Sequence, residues 1–401
     1  FMKKNKIRNF KIAYLINHAA FFDSHISPIA LKAKNSFSIK LFCGNSASKE
    51  MESYAIKNLK KKKIKFIRSN FSASGLNILN EFRGFISLYN SIKKFSPDLM
   101  HCATPKGIFF GTMISFFLGI KSLVIFNTGM GYLFTSKLSF YQRFIRYLYI
   151  QILKFFIKKN INKKIIIENN HDLRFLKRIY NLKKNDFILI KGSGVNLNKF
   201  SKINITKNKL VVLPSRVIKE KGIKEFIIAA EKLKKKFPNW KFVVAGTLSY
   251  KKQSNFSIGE INFLNRSRSV KFLGYVKDMK KIYNKSSIVC LPSYREGFSK
   301  TLQEAASMGI PTVTTNAIGC KDAIIQGITG EICLVRDSKS LEKKLEYLMK
   351  NPKKRILYGI NGRRLAEKEF DLEEVVNKNI NIYKKLLKNE KKSNLYWVKW
   401  N

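Results

Sequence analysis

Short apolar runs recur at Lys11–Ile16, Ile39–Cys43, Ile64–Ile67, Leu99–His101, Leu123–Phe126 and Ile165–Ile167, and the residues between them carry helical spacing. Leu76–Phe95 is an example, with Leu76, Leu79, Phe82 and Phe85 on one face. Nothing else in the chain limits its fold so tightly. Strands that alternate with helices pair in parallel through helical crossovers, which predicts a doubly wound α/β sheet. Ligands of such sheets bind beyond the carboxyl ends of the strands, so the chemistry is expected in the loops that follow them. The alternation begins again at Leu210–Leu213, and 401 residues are enough for two domains.

Composition narrows the partners. Hydrophobic residues make up 45% of the chain, which supports real cores and argues against disorder. The net charge is +52, from 78 Lys and Arg against 26 Asp and Glu, and it calls for an anionic partner: nucleic acid, an acidic membrane face or a phosphorylated ligand. Lys, Asn, Ile and Phe are abundant together, as in an A/T-biased coding sequence, so part of the excess is drift on solvated faces. The five cysteines (Cys43, Cys102, Cys290, Cys320 and Cys333) are scattered, which suits buried thiols in a reducing compartment better than a zinc site or a disulfide framework. Met2 is followed by Lys3-Lys-Asn-Lys and then a strand, so no signal peptide is expected. Gly107–Asn127 is the most apolar stretch, but Gly119 and Lys121 divide it, and a buried helix leading into a strand is expected rather than a membrane span.

The strand-end loops hold the candidate site residues. Asn17-His-Ala-Ala-Phe-Phe-Asp-Ser-His25 follows the first strand, with Asn17 and His25 as candidates, although His25 reads equally as the start of a helix. His101-Cys-Ala-Thr-Pro-Lys-Gly107 follows the fourth; a turn made by Pro105 and Gly107 does not need His101 and Lys106 to flank it. Asn127-Thr-Gly-Met-Gly-Tyr-Leu-Phe-Thr135 follows the fifth, where Thr128, Gly129 and Gly131 allow a tight turn and close approach to a ligand. Ser139–Lys164 reads as one long helix in which Phe140, Tyr141, Phe144, Ile145, Tyr147, Leu148, Ile152, Phe155 and Phe156 interleave with Arg143, Arg146, Lys154, Lys158, Lys159, Lys163 and Lys164. It suits an anionic lipid interface and, equally, a helix packed on the sheet with its lysines in water. Lys191-Gly-Ser-Gly-Val-Asn196 closes the first half with two glycines, which free the backbone there.

In the second half Pro214-Ser-Arg-Val-Ile-Lys-Glu-Lys-Gly222 precedes a helix. Arg216 can grip a phosphate with its planar fork, and Lys221 adds a point charge. The strand Ile288–Pro292 then runs into Ser293-Tyr-Arg-Glu-Gly-Phe-Ser-Lys-Thr-Leu-Gln-Glu304 and Ala305-Ala-Ser-Met-Gly-Ile-Pro311. A strand, turn and helix in that order place backbone N–H groups and the positive helix end at the turn, a setting for an anionic group.

That last string resembles the Glu-x7-Glu signature of the retaining GT-B glycosyltransferases of family 4, with Glu296 and Glu304 as its two carboxylates. The Arg216–Lys221–Gly222 element resembles the family's Arg-x4-Lys-Gly, with Ser215 where a glycine is usual. His101 matches the first His of a common His-x-His, whose second position is Ala103. Thr104-Pro-Lys-Gly and Thr128-Gly-Met-Gly-Tyr resemble a branch that transfers N-acetylated hexosamines onto lipid-linked sugars. The resemblance covers about Lys11 to Lys385 and implies the GT-B architecture, two Rossmann-like domains facing a central cleft. Expected boundaries are 1–191 for an acceptor- and membrane-facing domain, 192–370 for a nucleotide-sugar domain, and 371–401 for a helix crossing back onto the first domain plus a basic tail. The tail reads as a frayed terminus or a membrane contact.

By the same resemblance the chain is expected to be a metal-independent, retaining transferase without a cofactor, moving N-acetylgalactosamine or a related hexosamine from a UDP-sugar to an undecaprenyl-diphosphate-linked sugar. It would work as a peripheral protein on the cytoplasmic face of an anionic membrane and bind no nucleic acid. Arg216, Lys221 and the backbone near Ser299, Lys300 and Thr301 would hold the diphosphate, and Glu304 the ribose. Glu296, Gly297 and Phe298 would hold the donor sugar, with His101 facing it. Gly274 and Tyr275 are candidates for reading the base, although a strand end explains them nearly as well. Neutralising the leaving diphosphate is the main work, and two cations can do it. Rival readings are a nucleic-acid-binding protein, a UDP-N-acetylglucosamine 2-epimerase, a silent scaffold of the same fold, and a transferase using another UDP-hexose for surface polysaccharide. The first three leave the pairing of Arg216–Lys221 with Glu296–Glu304 unexplained.

Overall fold

A computed structural model describes residues 9–45, 49–72, 78–129, 139–160, 162–201, 208–247 and 256–397. It contains two parallel sheets. The first has β1 (Lys11–His18), β2 (Ser38–Asn45), β3 (Phe66–Ser72), β4 (Leu99–Ala103), β5 (Ser122–Asn127), β6 (Asn162–Ile167) and β7 (Phe187–Leu189), in spatial order β3-β2-β1-β4-β5-β6-β7. The second has β8 (Leu210–Leu213), β9 (Lys241–Val244), β10 (Val270–Phe272), β11 (Ile288–Leu291), β12 (Thr312–Thr315) and β13 (Gly330–Cys333), in order β10-β9-β8-β11-β12-β13. Each order reverses once, between β1 and β4 and between β8 and β11, and a doubly wound sheet opens its ligand crevice at that reversal.

The chain divides into two compact units: one runs up to Ile190 and resumes at Val375, the other is Lys191–Glu374. Both sheets are covered on both faces, so their strands read as unbroken apolar runs. In β8, Val211 and Leu213 enter one core with Phe226, Ile227 and Leu233, while Val212 enters another with Leu302 and Ala305. In the first sheet Ala13, Leu15, Met100 and Cys102 share one core. Tyr14 and His101 point the other way, as the two-residue period of a strand requires. There the helix Leu372–Trp397 packs from its buried stripe Val375, Val376, Asn379, Ile380, Tyr383 and Leu387, and Asn162 Nδ2 donates to its Leu386 carbonyl at 2.8 Å. All five cysteines are buried.

Several expectations are corrected. The fourth strand runs on to Ala103 instead of stopping at His101. The predicted long helix ends at Lys159, and Lys163 and Lys164 belong to β6, where Lys163 turns back to donate to Asn160 O at 2.6 Å. The helix Ile78–Phe95 buries Gly84, Leu88 and Ile92, leaving Leu79 and Phe82 outside; Leu76 lies outside the described residues. Gly107–Asn127, by contrast, is as expected a buried helix, Pro105–Phe117, leading into β5; no described helix is long and apolar enough to cross a membrane.

Candidate active site

In the Lys191–Glu374 unit the loops after β8 and β11 lie side by side, because the two strands are neighbours at the reversal. Glycines set how closely the loops pack. Gly222, at φ 68°, passes the β8 loop into the helix Ile223–Lys236, and a Cβ there would stand 2.1 Å from the Pro292 carbonyl oxygen. A Cβ on Gly246 would stand 1.8 Å from Ser215 O. Thr301 Oγ1 donates to Pro214 O at 3.1 Å, and Tyr294 N donates to Glu220 O at 2.8 Å. The turn that carries Glu296 is held from behind: Glu296 N donates to Ile318 O at 2.9 Å, and Gly319, at φ 76°, has room only for hydrogen, since a Cβ would lie 2.3 Å from Glu296 O. Ser299 caps the helix Lys300–Ser307 by accepting Leu302 N at 3.3 Å.

On this frame Lys221 Nζ makes an ion pair with Glu296 Oε1, both side chains mostly buried. Arg216 is exposed on the same loop as Lys221. Glu304, one turn into its helix, accepts the Tyr283 hydroxyl at 3.0 Å. Burial pushes its pKa above the ordinary carboxylate range, and the positive charges of Lys300 and Lys199 and the Tyr283 hydrogen bond work against that. Gly274, at φ 66°, bridges to Gly246, so the loop after β10 reaches the same end of the sheet, with Tyr275 half-buried. Gly297 and Lys300 are half-buried and Ser299 is buried. The Phe298 ring turns inward against Phe370, with centroids 5.6 Å apart, so this position offers a ligand its backbone.

In the other unit the reversal lies between β1 and β4, and Asn17 joins the two loops. Its N–H donates to Thr104 Oγ1 at 3.0 Å, while its Oδ1 accepts from the Thr104 hydroxyl at 2.7 Å and from Gly107 N at 3.0 Å. Thr104 has φ 68°, a strained setting for a β-branched residue, and the Asn17 bonds brace it there. A Cβ on Gly107 would come within 2.6 Å of Leu15 O. Lys106 is bound to Glu81 at 2.7 Å. His25 lies in a π-helical turn, Phe22–Ile26, stacked on Phe21 at 4.4 Å, with Nδ1 2.7 Å from Ser24 Oγ. Thr128 and Gly129 are half-buried, and Gly129 N donates to Asn127 Oδ1 at 3.2 Å. Gly131 lies outside the described residues.

His101 does not meet its expectation. The residue sits inside β4, two places before the strand ends, with 0% exposure. Its Nδ1 is 2.6 Å from the Tyr383 hydroxyl, and Tyr14, Phe126 and Tyr383 enclose the ring. Burial lowers its pKa to about 3, so the imidazole is neutral. The odd-numbered residues of β4 face the C-terminal helix, and that parity takes the ring away from any ligand at the loop.

Glu52 is a residue the sequence reading passed over. Its two oxygens accept Ala19 N and Ala20 N at 3.2 Å each, so the N–H groups after β1 already hold a carboxylate from this chain. That loop has no glycine, and these two of its N–H groups are taken. A signal was present: Glu52 shares a helical face with the buried Ala55 and Leu59, where a carboxylate needs partners. Among the described residues no three His, Cys, Asp or Glu side chains are grouped to hold a metal ion.

Comparison with known proteins agrees with both halves. Residues 196–365 match the family described as glycosyl transferases group 1, and residues 11–170 match glycosyl transferase 4-like. The chain is 26% identical over 340 residues to the N,N'-diacetylbacillosaminyl-diphospho-undecaprenol alpha-1,3-N-acetylgalactosaminyltransferase of Campylobacter jejuni, covering 81% of this chain and 87% of that protein. It is also 26% identical to the capsular polysaccharide biosynthesis glycosyltransferase CapM of Staphylococcus aureus, covering 73% and 78%. The fold superposes on Anabaena HepE, solved in complex with UDP, with a TM-score of 0.73 at 16% identity over 94% of this chain and 100% of that one. The fold is GT-B. A glycosyltransferase description matches each of the two halves, and the chain is a glycosyltransferase.

Proposed function

We propose that this glycosyltransferase moves an N-acetylated hexosamine, N-acetylgalactosamine before others, from a UDP-sugar to an undecaprenyl-diphosphate-linked sugar, with retention and without a metal ion. The observation that carries the reading is the grouping of Arg216, Lys221, Glu296 and Glu304 around the ends of β8 and β11. The activity of the Campylobacter relative supports both the donor and the acceptor.

Arg216 and the N–H groups near Ser299–Thr301 hold the diphosphate. Lys221 lies between that charge and the sugar side, because its partner Glu296 points from the facing loop. Glu296 and the Gly297–Phe298 backbone hold the sugar; Glu304, oriented by Tyr283, holds the ribose hydroxyls. Gly274 and Tyr275 border the base. The bond from anomeric carbon to diphosphate oxygen breaks, the acceptor hydroxyl adds on the same face, and its proton passes to the leaving oxygen. Stabilising that oxygen is the protein's main contribution, and a single well-placed charge or donor is worth on the order of a hundredfold in rate. Asn17, Thr104 and the Thr128–Gly129 turn shape the acceptor side. The acceptor's lipid places the enzyme peripherally on the cytoplasmic face of the membrane.

The test is UDP release from a panel of UDP-sugars, with and without a lipid-diphosphate-linked sugar, in chelator. Acceptor-dependent release from UDP-N-acetylgalactosamine is expected. Chelator-sensitive release overturns metal independence, and inversion in the product overturns retention. The similarity to CapM favours a second reading, another UDP-hexose used for surface polysaccharide, which release from UDP-glucose would establish.

A further inference from the structure

The helix Phe140–Lys159 buries two residues, Leu153 and Ile157, both past its midpoint. Its earlier turns hold Phe140, Tyr141, Phe144 and Tyr147, which are 83%, 70%, 53% and 58% exposed. Leu79 and Phe82 on the helix Ile78–Phe95 are 71% and 63% exposed. The two helices flank Pro105–Phe117 on one side of the first sheet: Phe85 meets Phe110, Tyr149 stacks on Phe109, and the Tyr149 hydroxyl donates to Pro105 O at 3.2 Å. The Lys106–Glu81 pair brings the start of Ile78–Phe95 level with the start of Pro105–Phe117. The start of Ile78–Phe95 therefore stands at the carboxyl end of the sheet near Thr104, and Phe140, nine residues ahead of Tyr149, projects about 13 Å past it. Monomeric proteins rarely leave large apolar patches in water.

Charge selects the occupant. Between Asp98 and Glu168 the sequence has no acidic residue, while Arg143, Arg146, Lys154, Lys158 and Lys159 lie along the exposed helix. A second copy would bring the same cations against these. Aromatic rings beside arginines and lysines match the interfacial layer of an anionic bilayer, where rings sit at headgroup depth and cations meet phosphates. We infer that the exposed starts of Ile78–Phe95 and Phe140–Lys159 are the face by which this enzyme docks on anionic phospholipid. The inference rests on the lipid-linked-acceptor reading for its purpose: it sets the Thr104 and Thr128 loops at the surface from which such an acceptor projects.

Sedimentation of the full chain with vesicles of phosphatidylcholine, with and without phosphatidylglycerol, tests it in the absence of any substrate. The wild type is expected to pellet with the anionic vesicles. The combined variant Phe140→Ser, Phe144→Ser and Tyr147→Ser should bind them about tenfold more weakly or worse, while UDP release with a short-chain water-soluble acceptor stays unchanged. Unaltered vesicle binding by that variant overturns the inference, since scattered lysines would then be enough. So does a wild type that stays in solution, or a lipid-free dimer that the variant dissociates. Lipid binding that behaves as expected while no UDP-sugar is turned over leaves this face standing and sinks the proposed reaction.

Discussion

His101 offers the sharpest test of how the first unit is built. If its ring is sealed between Tyr14, Phe126 and Tyr383, the folded chain refuses a proton that the unfolded chain accepts. The folded pKa is lowered to about 3 from the ordinary 6.5. With the folded value depressed, its contribution to stability is full above pH 6.5 and is lost as the pH falls through the window from 6.5 to about 3. Each pH unit below 6.5 costs about 1.4 kcal/mol, so going from about pH 7.5 to about pH 5 removes roughly 2 kcal/mol. His101→Phe keeps an aromatic ring and abolishes the titration, at the expense of the Tyr383 hydrogen bond, which weakens the variant by about 1–3 kcal/mol at every pH. The measurement is denaturant unfolding of both proteins at the two pH values, read by hydrogen exchange in peptides from β1 and β4. The stability gap between wild type and variant should shrink by roughly 2 kcal/mol at the lower pH. A gap that does not change with pH would falsify the enclosure and return His101 to the loop surface, where a sugar could reach it.

Other perturbations address the second unit. Lys221→Met should lower kcat/KM by on the order of a hundredfold or more and leave Glu296 without its partner, with circular dichroism unchanged; wild-type turnover would remove Lys221 from leaving-group stabilisation. Gly319→Ala should move the Glu296 turn, because the new Cβ meets Glu296 O at 2.3 Å and Gly297 O at 2.6 Å; lost turnover together with a stability cost of about 1–3 kcal/mol is expected in thermal unfolding, and normal kinetics would show that the turn does not position the sugar. Glu304 has a raised folded pKa, so its ionisation takes stability away as the pH climbs from the ordinary 4.5 through that raised value. Glu304→Gln should therefore be at least as stable as wild type at neutral pH yet bind UDP more weakly by calorimetry; equal UDP affinity would end the ribose role.

The sequence by itself determined the doubly wound class and the two sheets. Period-two and helical spacing are local properties, and the loop after a parallel strand must emerge at its carboxyl end, so strand endings pointed to the loops that carry Arg216, Lys221 and Glu296, while Glu304 was singled out by the resemblance to the Glu-x7-Glu signature. It could not say where β4 stops. Two more residues of strand turned His101 from a loop residue into a core one, since each step along a strand changes the face a side chain meets. Nor could it assign the apolar positions of Ile78–Phe95 to the inside: Leu79 and Phe82 fit a helical stripe as well as Leu88 and Ile92 do, and only the neighbouring sheet and helices decide which are covered. The carboxylate of Glu52 on the β1 loop and the pairing of Lys106 with Glu81 were likewise decided in tertiary structure. Each joins residues far apart in the chain, and the partner of a buried charge depends on which elements pack together, which no local pattern records.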